Sequence, residues 1–160
     1  MDCPLFEFLK NNHFPDTVRK GVCDLAELVL KRNVFEFGNE LFLQLLGTAI
    51  GTKMAPNFSN VFMDKLERSF FQNCSQLPSV WWRYIDDIFA IWPWGEDSLI
   101  DFMTRLNAFH PNVKFTFEYS NSSVHFLDVN VMVDPDRELI TDLYIKSTDM
   151  HQFLLASSSH

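Results

Sequence analysis

A chain of 160 residues is long enough to enclose a core of its own. Its 47% hydrophobic and 15% aromatic content, with 17 Phe and 4 Trp, excludes intrinsic disorder. The formal net charge of −8 argues against a self-sufficient nucleic-acid binder, because such proteins neutralise phosphate with a basic face. An acidic centre that holds cations remains compatible with that balance.

Cys3, Cys23 and Cys74 are scattered and the five histidines lack ligand spacing, so neither a disulfide framework nor a zinc signature is present. A reducing intracellular compartment, nucleus or cytoplasm, is the expectation. The N-terminus lacks the basic-then-apolar pattern of a signal peptide, and no apolar run approaches the roughly 20 residues that cross a bilayer.

In chain order, Val18, Val22, Leu25, Ala26, Val29 and Leu30 recur at helical spacing and predict a helix over 16–32, started by Asp16 and Thr17 after Pro15. Two β-prone runs flank Gly38-Asn39, a hairpin signal. Residues 47–56 form a small-residue loop entering a helix over 57–72, with Phe58, Val61, Phe62, Leu66 and Phe70 on one face. Residues 79–92 are strand-like on both sides of an acidic pair. A third helix is expected after Ser98 as N-cap, with Leu99, Phe102, Met103 and Leu106 as its stripe.

The remainder reads as β. Val113, Phe115, Phe117 and Tyr119 alternate with polar residues, 124–133 form a second strand, and 139–146 close a three-stranded meander. Helices on one face of an antiparallel sheet make an α+β layer.

The chemistry concentrates in Arg83-Tyr84-Ile85-Asp86-Asp87-Ile88-Phe89. A two-residue hairpin loop favours Asn-Gly or Asp-Gly. Asp-Asp fills that role poorly, and adjacent anions repel. The reading is that Asp86 and Asp87 form the bend and hold a divalent cation there. Hard Mg²⁺, or Mn²⁺ in its place, takes one or two carboxylates plus substrate phosphates. A two-metal site requires further carboxylates from a neighbouring strand. The alternative is a solvated acidic turn.

Tyr84-Ile85-Asp86-Asp87 resembles the Tyr-x-Asp-Asp box of reverse transcriptases. The wider string from Trp82 to Phe89 is similar to that of Penelope-like retroelements. Gly47-Thr48-Ala49-Ile50-Gly51-Thr52-Lys53-Met54-Ala55-Pro56 resembles their motif B, and 107–116 their motif D. His125-Phe126-Leu127-Asp128-Val129 resembles the motif that grips the primer. Thr141 to Tyr144 and Thr148 to Leu154 look like the lead into the thumb.

The resemblance implies one partial polymerase palm over 1–160, with the thumb starting at 147–160. It also implies two-metal nucleotidyl transfer in RNA-directed DNA synthesis, on a template-primer and a deoxynucleoside triphosphate. Asp86 and Asp87 would then bind metal, and Tyr84 would sit by the primer terminus. Gln44, Gly47 and Gly51 would approach template and nucleotide, and Lys53 would face phosphate. Lys114 would help protonate pyrophosphate, and Phe126, Leu127 and Asp128 would form the primer grip. Plainer roles compete: Gly47 and Gly51 as bends, Lys53 and Lys114 as solvated charges, Phe126 and Leu127 as core, Asp128 as a bulge.

Nothing in residues 1–33 matches the family's earlier metal-bridging Asp motif, and the basic fingers segments are also missing. The expectation is a truncated copy, a partial gene model or a remnant reading frame, inactive by itself. The alternative reading is a catalytically dead remnant that acts, if at all, as an interaction or nucleic-acid-binding fragment. Exposed apolar surface and aggregation on expression are expected with it.

Overall fold

The computed structural model describes residues 4–45, 47–49, 51–136 and 138–145. It is an α+β chain of four helices and seven strands among those residues. By internal contact it divides into a first unit, Met1–Leu77, and a second, Pro78–His160. The expected start of the thumb, 147–160, lies outside the described residues. No helix among them is long and apolar enough to cross a membrane.

The first unit begins with a helix that the sequence reading does not assign, α1 (Pro4–Asn11). Its eight residues are too few to show a convincing period, yet Leu9 is buried. α2 (Asp16–Lys31) follows as expected, with Pro15 at the N-cap. Arg19 pairs with Asp16 one turn away and lies over the Phe6 ring, 5.0 Å from its centroid.

β1 (Val34–Phe37) and β2 (Glu40–Leu43) form the expected hairpin. Gly38 and Asn39 have φ of +61° and +65°, the pair of positive values a two-residue type I′ loop requires. Both strands are exposed throughout, and Phe35 stacks on Phe42, its register partner, at 5.6 Å. α3 (Ala55–Phe71) starts two residues earlier than the period suggests. Pro56 suits a first helical turn, where the missing N–H is no loss. Ala55, Leu66 and Phe70 of α3 are buried.

The second unit opens with a hairpin of β3 (Val80–Tyr84) and β4 (Asp87–Ile91). α4 (Glu96–Phe109) begins at Gly95 rather than after Ser98. The Ser98 hydroxyl accepts a hydrogen bond from Trp92 Nε1 at 2.9 Å and lies 2.8 Å from the Trp94 carbonyl. It therefore secures the preceding loop instead of capping. Phe102, Met103 and Leu106 are buried as the stripe predicts. Phe102 meets Trp81 edge-on at 6.2 Å and Trp92 at 4.7 Å.

A three-stranded antiparallel sheet completes the unit: β5 (Ser123–Phe126), β6 (Val129–Val133) and β7 (Leu139–Leu143). Two expectations change. The run 124–133 is not one strand but a hairpin folded at Leu127-Asp128. The alternating run 113–119 joins no ladder among the described residues. Asn107 supplies the reason for the second change. Its side-chain amide donates to Phe115 O at 2.9 Å and accepts from Phe115 N at 2.6 Å, doing for one residue what a neighbouring strand would do for several. The antiparallel strands therefore fall into three small ladders rather than the one sheet expected.

Candidate functional site

The β3–β4 register pairs Trp82 with Phe89 and Tyr84 with Asp87. The loop is therefore Ile85-Asp86, not Asp86-Asp87. Asp86 occupies the bend, and Asp87 is the first residue of β4. This corrects the reading that both aspartates form the turn. Ile85 has φ of +56°, a left-handed conformation that a β-branched residue adopts only at a cost. Such strain, on the order of 1–3 kcal/mol, persists where the surroundings enforce it, and it concentrates at functional sites. Arg83 Nη1, 3.5 Å from the Ile85 carbonyl, donates to it across the loop.

Asp86 and Asp87 are both exposed. Neither carboxylate has a hydrogen-bond or ion-pair partner among the described residues. Two unpaired, adjacent, solvated carboxylates are a hard-oxygen donor set suited to Mg²⁺ or Mn²⁺. They are not a complete two-metal site. Among the described residues no group of three or more His, Cys, Asp or Glu side chains is placed to hold a metal.

Cross-strand partners share a face, so Tyr84 and Asp87 project to the same side of the hairpin as Trp82 and Phe89. Phe89 meets Phe126 at 5.8 Å. Phe126 directly precedes the loop of the second hairpin, Leu127-Asp128, where the register pairs Phe126 with Val129. Leu127 has φ of +56°, as Ile85 does. The second unit thus sets side by side two hairpins of like design: an aromatic residue, an aliphatic residue at positive φ, then Asp. Asp128 sits in a two-residue loop and not in a bulge. Its carbonyl accepts from Tyr144 N at 2.8 Å, and Tyr144 stacks on His125 at 4.5 Å. Those contacts tie the loop to the third strand, and neither was foreseen from the sequence.

Lys114 belongs to the same unit. Its Nζ donates to the carbonyls of Asn107 and His110, capping the C-terminus of α4 where a cation complements the helix dipole.

Gln44, Gly47, Gly51 and Lys53 belong to the first unit. Gly47 and Gly51 have φ of +78° and +97°, and both shape the loop that leads into α3. A Cβ on Gly47 would lie 3.5 Å from Gln44 Nε2, so Gln44 folds back over this bend. Lys53 is exposed two residues before α3, while Thr52 bonds back to the Ala49 carbonyl through both N and Oγ1. No protein-family model, curated protein or solved structure matches the chain. The functional reading therefore rests on its own residues.

Proposed function

We propose that this chain is part of a reverse-transcriptase palm of the Penelope-like kind, whose Tyr84-Ile85-Asp86-Asp87 hairpin presents carboxylates for metal-assisted nucleotidyl transfer. The observation that carries this is the β3–β4 apex. It holds two solvated carboxylates without partners among the described residues beside a residue at φ +56°, and it lies against the hairpin that bears Phe126, Leu127 and Asp128.

In this reading Asp86 and Asp87 would hold Mg²⁺ or Mn²⁺, with the triphosphate of the incoming nucleotide completing the coordination. Bound metal would supply activation of the primer 3′-hydroxyl and neutralisation of charge on the leaving pyrophosphate. Tyr84, on the face of Asp87, would sit by the primer terminus. Phe126, Leu127 and Asp128 orient the primer strand from the adjacent hairpin. Gly47, Gly51, Gln44 and Lys53 serve template and nucleotide, and Lys114 stands in the motif D position. RNA or DNA template-primer and deoxynucleoside triphosphate are the partners, in the nucleus or cytoplasm.

Two carboxylates bind a cation weakly and cannot fix two cations against a triphosphate. The chain alone is accordingly inactive, and a non-catalytic remnant is the second reading. The bare β1–β2 hairpin favours that reading, since Phe37 and Leu41 are 76% and 75% exposed.

Titration with Mn²⁺, followed by paramagnetic broadening of amide resonances, tests the site. Broadening centred on residues 84–88 and abolished by Asp86→Asn with Asp87→Asn is expected. Broadening that is absent there, or indifferent to both substitutions, would sink the assignment. Primer extension on poly(rA) with Mg²⁺ or Mn²⁺ is expected to yield no product. Processive extension that Asp86→Asn removes would overturn the claim of inactivity.

A further inference from the structure

The segment between α4 and β5 carries a strand's sequence without a strand's hydrogen bonds. It runs back along α4 and is fixed to it at both ends. Lys114 Nζ sits on the last carbonyls of the helix, and the Asn107 amide holds the Phe115 backbone. At the other end the Tyr119 hydroxyl donates to Glu96 in the first turn. The geometry closes, because the eleven residues from Glu96 to Asn107 rise about 17 Å in a helix. The five steps from Lys114 to Tyr119 cover about 17 Å when extended. Between these anchors the segment packs poorly, with Phe117 and Tyr119 44% and 49% exposed.

The next element offers this segment a second place. Among the described residues β5 is an edge strand, paired with β6 alone. In a two-residue hairpin the residues flanking the loop exchange hydrogen bonds. Phe126 and Val124 therefore turn their backbone groups toward β6, while His125 and Ser123 turn theirs to the outer edge. Ser120 already stands at that edge, its Oγ accepting from Ser123 N at 3.2 Å and from Ser122 N at 3.1 Å. Closing a two-residue loop at Asn121-Ser122 would pair Ser120 with Ser123, Tyr119 with Val124, Glu118 with His125 and Phe117 with Phe126. In that register the apolar alternation of Phe117 and Tyr119 falls on the face of Val124 and Phe126. Glu118 falls opposite His125. A one-residue slip would reverse every one of these matches.

We propose that residues 116–120 are a strap that exchanges between the α4-bound arrangement and a fourth strand on the free edge of β5, with the Tyr119–Glu96 hydrogen bond as its latch. The hinge is at Phe115, which Asn107 holds in both states. Docking of the strap widens the sheet that carries Leu127-Asp128 to four strands and covers Phe117. The proposal stands independently of the polymerase reading.

Residue-resolved amide exchange on the full chain decides it, wild type against Tyr119→Phe. In the strand state Glu118 and Ser120 turn their N–H groups to β5. Removing the latch should therefore slow exchange at Glu118 and Ser120 about tenfold and bring the Phe117 and Phe126 α-protons into contact, with Phe115 unchanged. If the segment has nowhere else to bind, cutting the latch frees it, and exchange at Glu118 and Ser120 stays the same or quickens. That result would overturn the proposal. Glu96→Gln, which weakens the same bond from the other side, gives the same readout should Tyr119→Phe fail to fold.

Discussion

Asn107→Ala should destabilise the second unit far more than its place on a helix surface suggests. The side chain makes two hydrogen bonds to one backbone residue, at 2.9 Å and 2.6 Å, both part-buried. Each contributes about 1 kcal/mol net, and a buried donor or acceptor left unmet costs about 1–3 kcal/mol. Water can reach a part-buried site and recover some of that loss, so the expected cost is about 2–3 kcal/mol. All four tryptophans lie between Trp81 and Trp94, inside the second unit. Their fluorescence during urea unfolding therefore reports that unit alone. At a urea slope of about 1–3 kcal/mol/M the midpoint should fall by about 0.7–3 M with the slope unchanged. Asn107→Asp should be at least as damaging at neutral pH, because it sets a carboxylate against the Phe115 carbonyl while keeping the acceptor for Phe115 N. A midpoint shift within error for Asn107→Ala would refute the claim that this amide takes the place of a strand neighbour.

Two further outcomes follow from the same unit. The hydrogen bond to Glu96, a degree of burial and the nearby negative charge together hold the Tyr119 phenol above its ordinary range. A raised value in the folded state favours the neutral phenol. Its stabilising contribution is complete below about pH 10 and is lost as pH climbs through the raised value. Ultraviolet titration of wild type minus Tyr119→Phe should show a late-titrating phenol that returns toward normal in Glu96→Gln. Phe102→Ala, which empties a 3% exposed site between Trp81 and Trp92, should cost about 3–5 kcal/mol, read as a large loss of thermal stability with the tryptophan emission shifted to the red.

The elements visible in the sequence are those whose local pattern and final environment agree. Gly38-Asn39 needs nothing beyond its own backbone freedom to make a hairpin loop. The stripe of Phe102, Met103 and Leu106 is buried as its spacing requires. Two of the failures share one physical form, a single side chain overriding a period. Ser98 looks like an N-cap, but its hydroxyl is engaged with Trp92 and the Trp94 carbonyl, so α4 begins without it. Val113 to Tyr119 has a strand's alternation, but Asn107 occupies its backbone. The first helix was missed because eight residues give too little period to read.

The two loops Ile85-Asp86 and Leu127-Asp128 escaped for a different reason. Propensity places Asn or Gly at positive φ, whereas this chain puts Ile and Leu there, both at +56°. Nothing in the composition of either loop would lead one to expect it. The apolar strands fix the register instead. With Trp82 opposite Phe89 and Tyr84 opposite Asp87, only two residues remain to reverse the chain, and the first of them must accept the strain. The consequence reaches the chemistry. By spending the bend on Ile85-Asp86, the hairpin keeps Asp87 in the strand, on the side that bears Phe89 and, through it, Phe126. A loop at Asp86-Asp87 would shift the pairing by two residues, setting Tyr84 opposite Phe89, and would move Asp87 out of the strand into the bend. The positive φ at Ile85 is therefore what keeps the second carboxylate in the strand, on the face that bears Phe89.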